Sequence, residues 1–295
     1  MKKKRFGDRN DGYLVRDADS MHKFFPFAMP NRADNEAALF ESVDLGPVNE
    51  YVKNKNEDSP EFKYTFFHVV CAALGLVIAE RPRMNRFYAG QRLFERNEIS
   101  FSFTVKKMFT DDGAETLAIV KFRPESEESC ISQVYSQVKK IVYSVRKENK
   151  VDGATDIMDI LCKLPRPIIR LVVWGLKTLD YYGLYPKSFQ VVDPYYTSCF
   201  ISNLGSIKMN AQYHHLSNWG TNSLFVIIGE KKKKPEYRED GSVQMIEKLP
   251  LGITIDERIA DGVYFAKTIK RLREILENPE ILDKSFADIQ KGKEE

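Results

Sequence analysis

The sequence predicts an α/β domain, and three stretches carry that reading. Residues 249–255 form an apolar strand, followed by the charged turn DERIADG and by a helix that puts Val263, Ala266, Ile269, Leu272 and Leu276 on one face. Residues 63–82 are apolar around most of a helical circumference, as a helix in the middle of a domain must be. Residues 86–96 and 99–122 read as two hairpins, the first turning at Ala89, Gly90 and Gln91 and the second at the DDG of 111–113. A chain of 295 residues with 43% hydrophobic content can bury the core of one large α/β domain or of two small ones.

Charge and cysteine usage exclude several classes. Lys+Arg 45 against Asp+Glu 42 leaves a net charge of +3, too balanced to indicate nucleic acid. Cys71, Cys130, Cys162 and Cys199 lie far apart with no CxxC spacing, which fits reduced thiols in a cytoplasmic protein and neither a disulfide frame nor a metal site. The start, MKKKRFGDRNDG, has no apolar run behind it and is no secretory signal. The longest uncharged apolar run, 64–79, falls short of the roughly 20 residues that span a bilayer, so no integral membrane segment is expected.

Taken in order, residues 1–36 read as an N-terminal arm, polar and extended apart from the FFPF knot at 24–27, and residues 37–295 as the domain proper. Residues 38–45 alternate as a strand, 47–56 form a short helix, and Pro82 ends the buried helix. A helix over 125–150 opens on SEES, a capping signal. A helical insertion follows at about 151–185, within which 155–182 suggest two short amphipathic helices broken at Pro165 and Pro167. Its stripe of Ile168, Ile169, Leu171, Val172, Val173 and Trp174 could cover a pocket, meet a partner or touch a membrane; packing in the core or against a subunit is favoured. Strands return at 188–193, 196–207 and 222–229, and four lysines, 231–234, form a turn with Pro235 before the last strand.

Strand, D-x-R-x-x-D-G and an amphipathic helix ending in LENP together resemble the C-terminal end of the catalytic domain of dihydrolipoyl acyltransferases of 2-oxo acid dehydrogenase complexes, a fold shared with chloramphenicol acetyltransferase. SNLG after an apolar strand, with another apolar strand ending in glycine some way on, extends the likeness, which covers 198–279 well and most of 38–125 weakly. The resemblance implies a chloramphenicol acetyltransferase-like two-layer sandwich of mixed β-sheet and helices. It also implies a homotrimer that moves an acyl group between a coenzyme A thioester (acyl-CoA) and a thiol, hydroxyl or amine, at sites between subunits. The lipoyl and subunit-binding domains usual in that family have no counterpart here, so a free-standing catalytic domain without lipoyl attachment is expected.

The family's pattern is DHRxxDG, in which the histidine takes the proton of the attacking group. Here Asp256, Arg258, Asp261 and Gly262 match, and Glu257 holds the histidine's place. By the same resemblance Ser202 falls on the serine that hydrogen-bonds the oxyanion, Asp261 shapes the turn by pairing with arginine, and a basic residue of the arm, Arg16 or Arg32, pairs with the motif aspartate. A thiol of pKa about 8.5 is mismatched with an ordinary glutamate by about 4 units and with a histidine by about 2, a difference of roughly 3 kcal/mol or a hundredfold in rate. Burial could raise the carboxyl to close that gap.

Four histidines could substitute as base. His68 reads as a satisfied core residue and His22 as an exposed one in the arm. His214 and His215 lie between SNLG and the next strand, where family members line the active-site region; an extended chain there would point the two rings to opposite sides, and a surface pair is favoured. Asn203, Lys231 and Lys232 are candidates for coenzyme A, although a solvated hairpin tip is the default for the lysines. The alternative function is a catalytically inactive relative that binds coenzyme A or an acyl thioester, or acts as a scaffold.

Overall fold

The computed structural model describes residues 3–106, 115–147 and 160–294. In chain order the elements are β1 (Gly12–Leu14), α1 (Ser20–Ala28), β2 (Glu36–Asp44), α2 (Gly46–Lys55), α3 (Phe66–Glu80), β3 (Arg86–Ala89), β4 (Arg92–Arg96), β5 (Ile99–Lys106) and β6 (Glu115–Phe122). They continue with α4 (Cys130–Lys147), α5 (Arg166–Tyr181), α6 (Lys187–Gln190), β7 (Cys199–Asn203), β8 (Leu224–Ile228), β9 (Lys232–Tyr237), β10 (Val243–Asp256), α7 (Gly262–Glu277) and α8 (Phe286–Glu294).

The large sheet runs β2-β10-β8-β7-β5-β6, with β9 also paired to β10. Strand β7 is parallel to β5 and β8, whereas β10 is antiparallel to β2, β8 and β9, so the sheet is mixed. Alternation divides its two faces. Leu249, Leu251, Ile253 and Ile255 of β10 join Cys199 and Ile201 of β7 in the main core beneath α3, α4 and α7. Helix α3 is buried from His68 to Ile78, as its all-round apolar sequence requires. His68 sits in the core as expected: its Nδ1 accepts the Thr65 N–H at 3.0 Å, completing a capping box, and burial pushes its pKa down to about 4.

The opposite face carries Phe200, Phe225 and Ile227, which pack with Leu204, Ala211 and Leu216 of the irregular chain lying across it. Two glycines admit that chain. A Cβ on Gly229 would stand 2.1 Å from the Ala211 nitrogen, and one on Gly252 would stand 2.1 Å from the Gln212 carbonyl oxygen. A second sheet, β1-β4-β3, turns at Gly90 and Gln91, both at positive φ. The arm, expected to be extended, therefore supplies a strand to this sheet and the helix α1.

Several elements differ from their sequence reading. Residues 188–193 form no strand; α6 and a turn occupy them, with Pro186 capping. Of the lysines expected at a turn, 232–234 lie in β9, which pairs with Val243–Lys248; Lys231 just precedes the strand, and the tip is 238–242. An exposed edge accepts lysines and Pro235, which would be costly in a central strand. Prolines 165 and 167 begin α5 and do not break it, because the first turn of a helix has no N–H groups to lose. None of its side chains is buried, so Ile168, Leu171 and Trp174 find no core to enter among the described residues. Residues 155–159 and 148–150, expected to be helical, and the second hairpin's turn lie outside the described residues.

Candidate active site

The turn after β10 carries three consecutive charged residues with opposite fates. Asp256 is fully buried; its Oδ1 accepts from Arg258 Nε at 2.8 Å and its Oδ2 from Nη2 at 2.7 Å. The same guanidinium donates through Nη1 to the Met29 carbonyl at 2.7 Å and lies 4.8 Å from the Tyr88 ring centroid. Of the two arm arginines, Arg32 is the one that comes here: its Nε stands 3.8 Å from Asp256 Oδ2, and its Nη atoms donate to the carbonyls of Ser217, Gly220 and Tyr88. Burial holds the Arg32 pKa below its ordinary value against the opposing pull of Asp256. Arg16 pairs instead with Asp8, at 3.0 Å.

Glu257, between these buried partners, is exposed. Its N–H donates to the Asn35 carbonyl at 2.9 Å, while its carboxylate has no partner among the described residues. Asp261 caps α7, accepting the Tyr264 N–H at 2.9 Å, and that bond lowers its pKa. Its arginine partner is Arg83, loosely at 3.7 Å and exposed; the close aspartate–arginine pair is that of Asp256. The face expected to be buried on α7 is rotated. Phe265, Thr268, Leu272, Ile275 and Leu276 are buried, whereas Val263 and Ala266 are exposed. Ala266 and Ile269 line a hollow of about 780 Å³ together with Glu257 and with Met21, His22 and Phe25 of α1.

Ser202 lies elsewhere. It follows Cys199 and Ile201, which point into the main core, and so belongs to the opposite face. It pairs with Ile227, which pairs with Gly252, five residues before Glu257. Two strand spacings across and five residues along put Ser202 and Glu257 ~19 Å apart, so one chain cannot bring them to one substrate. Asn203, beside it, holds a buried Oδ1 without a hydrogen-bond partner. Lys231 pairs with Glu247 at 3.6 Å and Lys232 with Glu230 at 3.3 Å.

His214 and His215 do not point to opposite sides: the chain is irregular there, and their ring centroids are 4.7 Å apart. The His214 ring stacks on Phe225 at 4.1 Å, both histidines are exposed, and neither lines the hollow of Glu257. The histidine that does line it, His22, read from sequence as an exposed arm residue. The pattern Asp19-x-x-His22 just before an apolar helical stretch was the available signal, since an aspartate there can cap the helix and hold the ring.

The family model of the 2-oxoacid dehydrogenases acyltransferase (catalytic domain) matches residues 191–282, which include both Ser202 and the 256–262 turn. No curated protein matches the chain. Among solved structures it is similar to the dihydrolipoamide acetyltransferase of Azotobacter vinelandii, solved to investigate a serine, a histidine and an asparagine in its catalytic mechanism: 16% identity, 90% of this chain and 93% of that one, TM-score 0.59. It is similar to the cubic core of a pyruvate dehydrogenase multienzyme complex, at 16% identity over 92% of this chain and 94% of that one, TM-score 0.59. A chloramphenicol acetyltransferase aligns at 13% identity over 90% of this chain and 99% of that one, TM-score 0.52. The fold is thus chloramphenicol acetyltransferase-like, and the last third carries the sequence pattern of an acyltransferase catalytic domain.

Proposed function

We propose that the chain is a coenzyme A-dependent acyltransferase that moves an acyl group between a thioester and a thiol, hydroxyl or amine, at a site completed by a second copy of itself. The observation that carries this is the rigid turn: Asp256, Arg258 and Arg32 form a buried cluster whose evident effect is to hold position 257 out toward an open hollow. In this reading Ser202 of a neighbouring copy donates its hydroxyl to the oxyanion that forms as the thioester is attacked. Coenzyme A fits the Ser202 end of the sheet, where Asn203 offers an unpartnered buried oxygen and the exposed Lys231 and Lys232 offer cations to phosphates. The ~19 Å between Ser202 and Glu257 supports a site shared between copies, and a homotrimer is the assembly proposed. The structural neighbour is described as a cubic core, and a cube has three-fold axes through its corners, which favours three copies as the number.

The test joins two measurements. Sedimentation at micromolar concentration is expected to give a trimer, and acetyl-coenzyme A is expected to raise the melting temperature by mass action while donating its acyl group to a panel of small thiols, alcohols and amines. A monomer removes the shared site. A second reading, a binding or scaffold protein, is favoured by the loss of the family's base at Glu257; binding of acetyl-coenzyme A without turnover of any acyl thioester selects it.

A further inference from the structure

We propose that His22 is the general base of this site, reached through α1 and not through the motif turn; the inference rests on the acyltransferase reading above. Asp19 caps α1, its Oδ1 accepting the His22 N–H at 3.0 Å, and its Oδ2 stands 2.9 Å from His22 Nδ1. An ionised carboxylate only accepts, so the ring proton sits on Nδ1 and the lone pair on Nε2. No described residue bonds Nε2. This is the arrangement a base needs: one nitrogen held by a carboxylate and the other free.

Position agrees with chemistry. Both ends of α1 are pinned to the residue that follows Glu257. At its start the Tyr88 hydroxyl donates to the His22 carbonyl at 2.9 Å and lies 3.4 Å from the Arg258 carbonyl; at its end Arg258 Nη1 holds the Met29 carbonyl. His22 and Glu257 therefore open on one hollow, with Met21, Phe25, Ala266 and Ile269 as its apolar walls. The ring is four-fifths sheltered and meets Phe25 edge to face at 6.0 Å. Of the other histidines, His68 is closed in the core, and His214 and His215 sit on the Ser202 face of the sheet, where the His214 ring is stacked on Phe225 and its Nδ1 is 2.9 Å from the His215 carbonyl oxygen.

In the step so defined, Nε2 takes the proton of the acceptor as its heteroatom bonds to the thioester carbonyl carbon, and the carbonyl becomes an oxyanion bound by Ser202 of the neighbour. Collapse breaks the carbon–sulfur bond, and the departing coenzyme A thiolate takes the proton back from Nε2. Asp19 is the positioning residue, and Glu257 adds negative charge to the hollow in which the imidazolium forms.

The experiment compares wild type, His22→Gln, His22→Ala and Asp19→Asn in acyl transfer from acetyl-coenzyme A to the best acceptor of the panel, across pH. The charged groups to be reckoned with are Asp19, paired with the ring, and those that line the same hollow: Glu257 and Asp261 on the turn, Glu41 on β2, and Lys270 and Arg273 on α7. Expected for His22→Gln is a fall in kcat of about 10² to 10⁴, with KM for acetyl-coenzyme A within about threefold and an unchanged melting temperature. The acid limb of the wild-type rate profile is expected to vanish in that variant, to move to lower pH in Asp19→Asn, and activity is expected to return to His22→Ala on adding imidazole. An active wild type whose His22→Gln variant keeps its rate within about threefold, or keeps the acid limb, overturns this inference alone. An inert wild type overturns the acyltransferase reading, and this inference falls with it.

Discussion

Asp256 and Arg258 on one side of the turn and Glu257 on the other meet opposite surroundings. The first two are closed off from water and bound to each other, to Arg32 and to backbone carbonyls. The third has only solvent and a hollow. Buried charges without partners are not tolerated, so the flanking positions are fixed by folding; the side chain at 257 has no partner among the described residues and is free to change with the chemistry. On the acyltransferase reading proposed above, a glutamate where the family has a histidine need not dismantle the site, because the cluster that aims the turn does not include position 257.

The contrast can be broken most strongly from its buried side. Asp256→Ala leaves two buried guanidiniums facing no carboxylate and is expected to cost about 3 to 5 kcal/mol, seen as a drop of roughly 10 °C in melting temperature by calorimetry. A buried histidine sharpens it next. His68, with a folded pKa of about 4 against an unfolded value near 6.5, binds its proton first in the unfolded chain. Its contribution is whole above about pH 6.5 and is lost as pH falls toward 4, by ~3 kcal/mol; urea midpoints of wild type and His68→Gln are expected to converge over that interval, since glutamine can still complete the capping box. Gly252→Ala, on the same strand as the motif, pushes a methyl at the Gln212 backbone and is expected to cost about 1 to 3 kcal/mol in urea unfolding. Glu257→Gln is the smallest: a stability change within about 0.5 kcal/mol, measured the same way, because the side chain is exposed and unpaired.

Much of the scaffold was legible because apolar periodicity reports burial. The all-round apolar run became the central helix, and the apolar run 249–255 became the strand that joins β2 to β8. Where periodicity was short the reading failed: six residues at 188–193 look alike as strand or as turn, and β9 is held by its pairing with β10 against the local preference of its lysines and proline. The site divided the same way. The motif located the turn, but whether Arg16 or Arg32 reached it, and that His22 shares its hollow, depended on how α1 folds back across more than two hundred residues of chain. No spacing rule spans such a distance.

Strand β10 is the last strand in sequence, yet it lies between β2, made some two hundred residues earlier, and β8, and it also carries β9. During synthesis β2 must wait, its hydrogen-bonding edge open, until nearly the whole chain has left the ribosome. Contacts of such long sequence separation make for slow folding and for exposed edges in the interval. A chain cut before 243 would lack the strand that joins β2 to β8, and the cell would meet its open edges as partners for aggregation.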